Sequence, residues 1–276
     1  MYRRVVAAAG VLAGAYACSS FESDAPSGSS DGGAPADASL DGNVTDAGID
    51  ADAKSAPPFC ATDGGDLCED FDDPGSATFT DAVADDGGTF SLETSQFVSP
   101  PKSAHFEFAP VSDPDAGCSN LGRKSARLIQ APDGFTVEYK VRLDAEISGS
   151  RALLGTSVAF GPATGDALCR FYLALTPPSG AQLYIEATDG SEYPALKRRP
   201  VPMQWSHVVI DYHGASSSRK VSVFIDEQEA LLDWPVASSA CQIADYVREL
   251  YLGLICVDSE TGPLSAYFDD VRLKAH

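Results

Sequence analysis

The side chains with the most chemistry in this 276-residue sequence are its seven cysteines, at 18, 60, 68, 118, 169, 241 and 256. Cys18 closes a segment in which Arg3 and Arg4 precede an uncharged apolar run from Val5 to Ala17. Such a run would rise about 20 Å as a helix, well short of the roughly 30 Å hydrocarbon core of a bilayer. It reads as a removable export signal rather than a membrane span. Setting Cys18 aside leaves Cys60, Cys68, Cys118, Cys169, Cys241 and Cys256, an even set that can pair fully in an oxidising compartment. Six cysteines admit about fifteen pairings, and sequence does not choose among them. Pairing of neighbours is the expectation taken forward: 60 with 68, 118 with 169 and 241 with 256. Zinc ligation is not expected, because neither C-x2-C nor H-E-x-x-H spacing occurs.

The end of the export segment, Ala15-Tyr16-Ala17-Cys18, resembles the lipobox of bacterial lipoproteins. That resemblance implies a lipidated Cys18 as the mature N-terminus, and Ser19 after it implies onward transfer to the outer membrane or cell surface. The match departs from the pattern at Ala15, where Leu is usual, and at the bulky Tyr16. Ala15-x-Ala17 also fits an ordinary cleavage site, which would leave Cys18 as an odd thiol.

Residues 19–58 are almost entirely Ser, Gly, Ala, Asp and Pro, with eight acidic residues against Lys54, a net charge of −7. So little apolar surface cannot offset the entropy of ordering, and the stretch is expected to be a disordered linker. As a flexible coil it spans about 35 Å. The chain as a whole carries −21, of which −16 falls on residues 59–276. That charge argues against nucleic acid and against an anionic lipid surface as partner, so any membrane attachment would run through the lipid anchor alone. The compact basic run, Lys197-Arg198-Arg199, is flanked by prolines and reads as an exposed loop.

Residues 59–276 read as one all-β sandwich. Phe135 to Leu143 alternates apolar and polar residues without a break, the mark of a strand with one dry face. Similar runs are 103–108, 152–160, 169–176, 181–188, 208–212, 220–226, 250–256 and 266–273, separated by turn-forming clusters such as Thr188-Asp189-Gly190. One short helix is expected within 240–249, where Ile243, Tyr246, Val247 and Leu250 recur at helical spacing. Parity then assigns faces. Phe171, Leu173 and Leu175 point to the core, which sends Arg170 and Tyr172 outwards. Leu183 and Ile185 point in, leaving Gln182, Tyr184 and Glu186 outside, and Phe224 lies outside between Val223 and Ile225. A short connection at 177–179 would set Tyr172 opposite or diagonal to Tyr184. Aromatic faces beside Arg, Gln and Glu suit sugar rings, which stack while their hydroxyls take the polar groups. Tyr and Phe are also simply good strand residues.

Gln204-Trp205-Ser206-His207-Val208-Val209 followed by Lys220 to Asp226 resembles the W-x-H-V strand and hairpin of laminin-G-like domains. Leu250 to Gly253, the terminal Tyr267 to Leu273 and the opening Cys68-Glu69-Asp70-Phe71 are similar to other strands of that group, the concanavalin A-like lectin and glucanase superfamily. The resemblance implies a two-sheet antiparallel jelly roll whose first and last strands lie side by side. Glu69, inward with Phe71, and Asp269, inward with Val271 and Leu273, would then approach and make a structural calcium site with backbone carbonyls. Catalysis is not expected. The E-x-D-x-x-E strand of related glucanases is missing, and Asp226-Glu227-Gln228-Glu229 falls where the group has a turn. None of the four histidines sits in a Ser or Cys nucleophile motif, and His207 beside Trp205 reads as a half-buried structural residue. The combined expectation is an exported, lipid-anchored envelope protein that recognises a glycan or surface protein without cleaving it. A purely structural envelope module and an atypical glycan-cleaving enzyme are the alternatives.

Overall fold

A computed structural model describes residues 59–276 except 63–64, 73–77, 80, 85–87, 110–117, 126, 148–151, 165, 167–168, 177–179 and 259–262. Only the backbone is described at 62, 81–84, 118–120, 152–157 and 256–258. The export segment, Cys18 and the linker lie outside the described residues, as do the side chains of Cys118 and Cys256.

After α1 (Phe59–Thr62) come β1 (Leu67–Glu69), β2 (Asp81–Ala84), β3 (Gly88–Glu93), β4 (Ser103–Phe108) and β5 (Cys118–Ser125). Next are β6 (Ile129–Gln130), β7 (Gly134–Leu143), β8 (Ala152–Gly161), β9 (Cys169–Thr176), β10 (Gly180–Ala187) and β11 (Gly190–Glu192). The chain closes with β12 (Trp205–His213), β13 (Lys220–Ile225), β14 (Gln228–Pro235), α2 (Ser239–Gln242), β15 (Tyr246–Asp258) and β16 (Leu264–Ala275). They build a two-sheet antiparallel jelly-roll sandwich. The first sheet runs β14-β13-β12-β7-β16-β4-β3 with β1 also on β16; the second runs β11-β10-β9-β8-β15-β5-β2 with β6 also on β15.

The alternation of β7 decides its place. Phe135, Val137, Tyr139, Val141 and Leu143 are buried, while Thr136, Glu138, Lys140 and Arg142 between them are only half-buried. Phe135 meets Phe160 at 5.5 Å and Phe171 at 5.7 Å across the sandwich, and Tyr212 joins Phe160 at 5.4 Å. Each fully buried ring of this kind contributes about 2–3 kcal/mol, and truncating Phe135 to Ala would cost about 3–5 kcal/mol. The Tyr212 hydroxyl enters the core only because it donates to the Cys241 carbonyl at 2.8 Å, and burial pushes its pKa up to about 12. Asp226 and Glu227 join β13 to β14 with φ of 52° and 63°, the left-handed pair that a tight hairpin of matching twist requires. The acidic cluster is therefore a turn at Asp226 and Glu227 that runs into the start of β14 at Gln228 and Glu229.

Three sequence expectations change in the structure. The helix within 240–249 is only the four-residue α2, capped by the Ser238 side chain, and the chain is extended from Tyr246 onwards. Val247 and Leu250 are both buried because a register shift between Val247 and Glu249 moves the strand by one residue, which mimics helical spacing. The disulfides also differ. Cys60–Cys68 forms as expected, but Cys169 is bonded to Cys241, which overturns both the 118–169 and the 241–256 pairings. Cys241 sits just before β15 begins, whereas Cys256 lies about 33 Å further along that strand. Cys169 pairs with Phe160 beside the start of β15, and Cys118 with Asp258 at its far end.

The third change concerns β16. Ala266 and Phe268 belong to the core, and so do Val271 and Leu273, so the parity flips between them. The cause is a bulge between Asp269 and Arg272, with Asp270 at φ 50°. Asp269 shares the outer side with Tyr267, not the inner side with Val271.

Candidate functional site

The outer face of the second sheet carries a row of aromatic rings. In the β9–β10 hairpin Tyr184 pairs directly with Tyr172, and Glu186 with Arg170. The Tyr172 and Tyr184 rings stack at 5.5 Å between centroids. The Tyr172 hydroxyl donates to Glu186 Oε2 at 3.0 Å, and Arg170 lies 3.8 Å from the same oxygen. Gln182 is half-buried opposite Ala174. The strand parity read from sequence is therefore present, with one difference in exposure. Tyr172 is only 6% exposed, because Tyr184, Ala174 and Ile255 cover it. A sugar cannot reach its ring face.

The accessible ring is one that parity did not find. Tyr193 is 50% exposed and stacks on Tyr184 at 4.8 Å with planes 7° apart. It precedes a segment that follows β11 along the edge of β10, tied there by Leu183 N–H donating to Pro194 O and Leu196 N–H to Ala181 O. Burial pushes the Tyr184 phenol above its ordinary pKa, and the neighbouring Tyr193 adds to that shift. The result is three rings stacked edge-on across the sheet, with the outermost open. The signal in sequence was Tyr193-Pro194, since a residue before proline favours extended backbone.

The same row continues across the sheet without side chains. Gly253 of β15 pairs with Gly122 on β5 and with Gly155 on β8. Gly253 has φ 143°, and a Cβ there would lie 2.3 Å from the Leu121 carbonyl oxygen. A Cβ at Gly122 would enter the Tyr251 ring. Both positions require glycine.

The outer face of the first sheet is a lattice of paired charges. Arg142 pairs with Asp144 at 3.3 Å and Lys140 with Asp270 at 2.9 Å. Glu138 takes His207 at 3.3 Å and also Arg272. Burial pushes Glu138 up, but these two hydrogen bonds prevail and hold its carboxyl below the ordinary value. All four histidines of the chain lie on this face. His207 is half-buried against Glu138, and His213 and His276 both contact Asp211. His105 stacks on Tyr267 at 4.3 Å, and the Tyr267 hydroxyl donates to Asp144 Oδ2 at 3.1 Å. In register this row runs Ser91, His105, Tyr267, Arg142, Trp205. Phe224 is half-buried on the same sheet, so it does not join the tyrosines.

Glu69 and Asp269 are both buried, and β1 does lie beside β16. Register places Glu69 opposite Val271 on the inner side, while the bulge puts Asp269 on the outer side. Asp269 Oδ2 accepts from the amides of Val98 at 2.7 Å and Ser99 at 2.9 Å. Its Oδ1 accepts from the Ser99 hydroxyl and the Asp270 amide. Burial pushes its pKa up to about 7 despite those donors, with Asp270 adding to the rise. Among the described residues no cluster of three or more His, Cys, Asp and Glu is arranged to hold a metal.

Solved structures share this fold. An endo-β-1,4-glucuronan lyase from the fungus Trichoderma reesei superposes with a TM-score of 0.58 at 15% identity, over 76% of this chain and 95% of that one. Alginate lyase vAL-1 from a Chlorella virus gives 0.51 at 10% identity, over 72% and 93%. The cellulose-induced protein Cip1 gives 0.50 at 12% identity, over 71% and 90%. At such identities the likeness is one of fold. No protein-family model matches the sequence, and no curated protein does.

Proposed function

We propose that this is an exported glycan-binding protein that holds its ligand on the outer face of the second sheet. The observation that carries the reading is the Tyr172–Tyr184–Tyr193 stack, a rigid aromatic step whose outermost ring is open and whose flanks offer Arg170, Gln182 and Glu186. The buried Tyr172 and the half-buried Tyr184 hold the third ring in place, so little conformational entropy is lost on binding. The solved structures of similar fold include proteins named for acting on polysaccharides, which supports a carbohydrate ligand over a surface protein. Two disulfides agree with an extracytoplasmic location. The Arg3-to-Cys18 pattern supports a lipid anchor at the outer membrane or cell surface, and the Gln204-to-Val209 strand with its hairpin supports a laminin-G-like domain. A glycan array probed with the full chain and with Tyr193→Ala tests the site. Signals that survive the substitution unchanged would remove the stack from recognition.

A second reading is cleavage, favoured by the His105–Tyr267–Arg142 row on the other sheet. A ring nitrogen, a phenol and a guanidinium are the groups needed to take a proton beside a uronate carboxylate and protonate the leaving oxygen. Arg142 is held by Asp144, however, and the Tyr267 hydroxyl donates to the same carboxylate. Ultraviolet absorbance from a new conjugated double bond on incubation with uronans, lost in Tyr267→Phe, would establish this reading in place of the first.

A further inference from the structure

Resting on the glycan reading above, we infer that the tyrosine site takes an uncharged glycan laid across the strands, and not an acidic one. The direction follows from register. Tyr193, Tyr184 and Tyr172 succeed one another perpendicular to the strands, from the β10 edge inwards. Tyr172 lies between Phe171 and Leu173, whose β8 partners are Val158 and Leu154, so it faces the stretch of β8 that holds Gly155. Gly155 and Gly253 follow in register, with Ile255 against Tyr172 beside them, and the Tyr251 ring closes the row over Gly122. From β10 to β15 are three strand spacings, about 14 Å, or room for about three sugar residues in an extended chain.

The charge follows from pairing. The cations that flank the row, Arg170 and Lys124, each face a carboxylate, Glu186 at 3.8 Å and Glu249 at 2.5 Å. A uronate approaching Arg170 would meet Glu186, which also accepts the Tyr172 hydroxyl. The chain around it carries −21, so a polyanion is repelled before contact. Gln182 and the phenol hydroxyls are neutral donors and acceptors suited to sugar hydroxyls. The histidines lie on the opposite sheet. The site therefore differs in charge preference from what the names of its fold neighbours, glucuronan and alginate lyases, bring to mind.

Titration calorimetry on the full chain decides this, using β-1,4-linked glucose, mannose and xylose oligomers from disaccharide to hexasaccharide, and oligoglucuronates of the same lengths. Affinity for a neutral ladder is expected to climb up to about the trisaccharide and then level off. The uronate ladder should bind at least about tenfold more weakly, and Glu186→Gln should narrow that gap by relieving the repulsion. Uronates that bind as tightly as neutral oligomers, with Tyr193→Ala abolishing both, would overturn the neutral preference and leave the site standing. Affinity that does not change with length would overturn the cross-strand track. Binding by neither ladder would sink the glycan reading beneath both.

Discussion

Tyr193 and Tyr184 stack at 4.8 Å with their planes 7° apart, although they belong to different segments: Tyr184 to a regular strand and Tyr193 to the turn-rich stretch that follows β11. The relationship divides labour along one aromatic row. Tyr172 is packed away, Tyr184 is half-covered, and Tyr193 alone presents a face. Stability and recognition are therefore carried by different members of the row.

Tyr172→Ala should destabilise the fold by about 3 kcal/mol, because it empties a buried site and strips Glu186 of a donor. Tyr193→Ala should cost less than about 1 kcal/mol of stability, since half of that ring is already in water. Urea unfolding of both variants beside the parent checks the split. Equal midpoint shifts would mean that the stack is not graded as described.

Replacing Cys169 and Cys241 together by Ala should cost roughly 4 kcal/mol, as the bond closes a long loop. Losing Cys60–Cys68, with a sequence separation of 8, should cost roughly 2 kcal/mol. Denaturant midpoints for the two double variants give the ranking, and peptide mapping without reduction gives the pairing. Recovery of a 241–256 linked peptide would refute the connectivity.

Glu138 sets a pH dependence of known sign. Its folded carboxyl is held below the value it has when unfolded, so the unfolded chain binds more protons through that interval. Its contribution is full above the unfolded pKa and disappears as acid protonates the folded carboxyl. The stability gap between the parent and Glu138→Gln should thus close as pH falls below about 4. A gap that widens on acidification would contradict the pairing with His207 and Arg272.

Asp269 bears on calcium. Its oxygens already accept from Val98, Ser99 and Asp270, and Glu69 lies on the other side of the sheet. Millimolar calcium or a chelator should therefore leave the melting temperature unchanged. A rise of several degrees with calcium would be the linkage expected of a ligand that binds only the folded chain, and would restore both residues as its holders.

Strand alternation made much of the sandwich legible. β4 and β9 match their runs residue for residue, and β7 and β13 each differ at a single terminal residue. Those side chains are sorted by water alone, a local rule. The strand β5, Cys118–Ser125, escaped because Gly122, Arg123 and Lys124 break the pattern; its glycine is there to receive the Tyr251 ring. β14 escaped likewise, as an edge strand with Leu232 and Trp234 exposed.

Parity also placed Arg170, Tyr172, Gln182, Tyr184 and Glu186 on one face, and that much was a property of the chain. What it lacked was every relation that depends on distant segments meeting. The bulge at Asp270 reversed the sides of β16, and a strand some 33 Å long decided which cysteines could touch. The continuation of residues 193–196 from β11 along the edge of β10 supplied the exposed ring. Sequence fixes which way a side chain turns relative to its neighbours, because that is set by the pleat. Only the assembled sheets fix what it turns towards, because that is set by which backbone edges are left to pair.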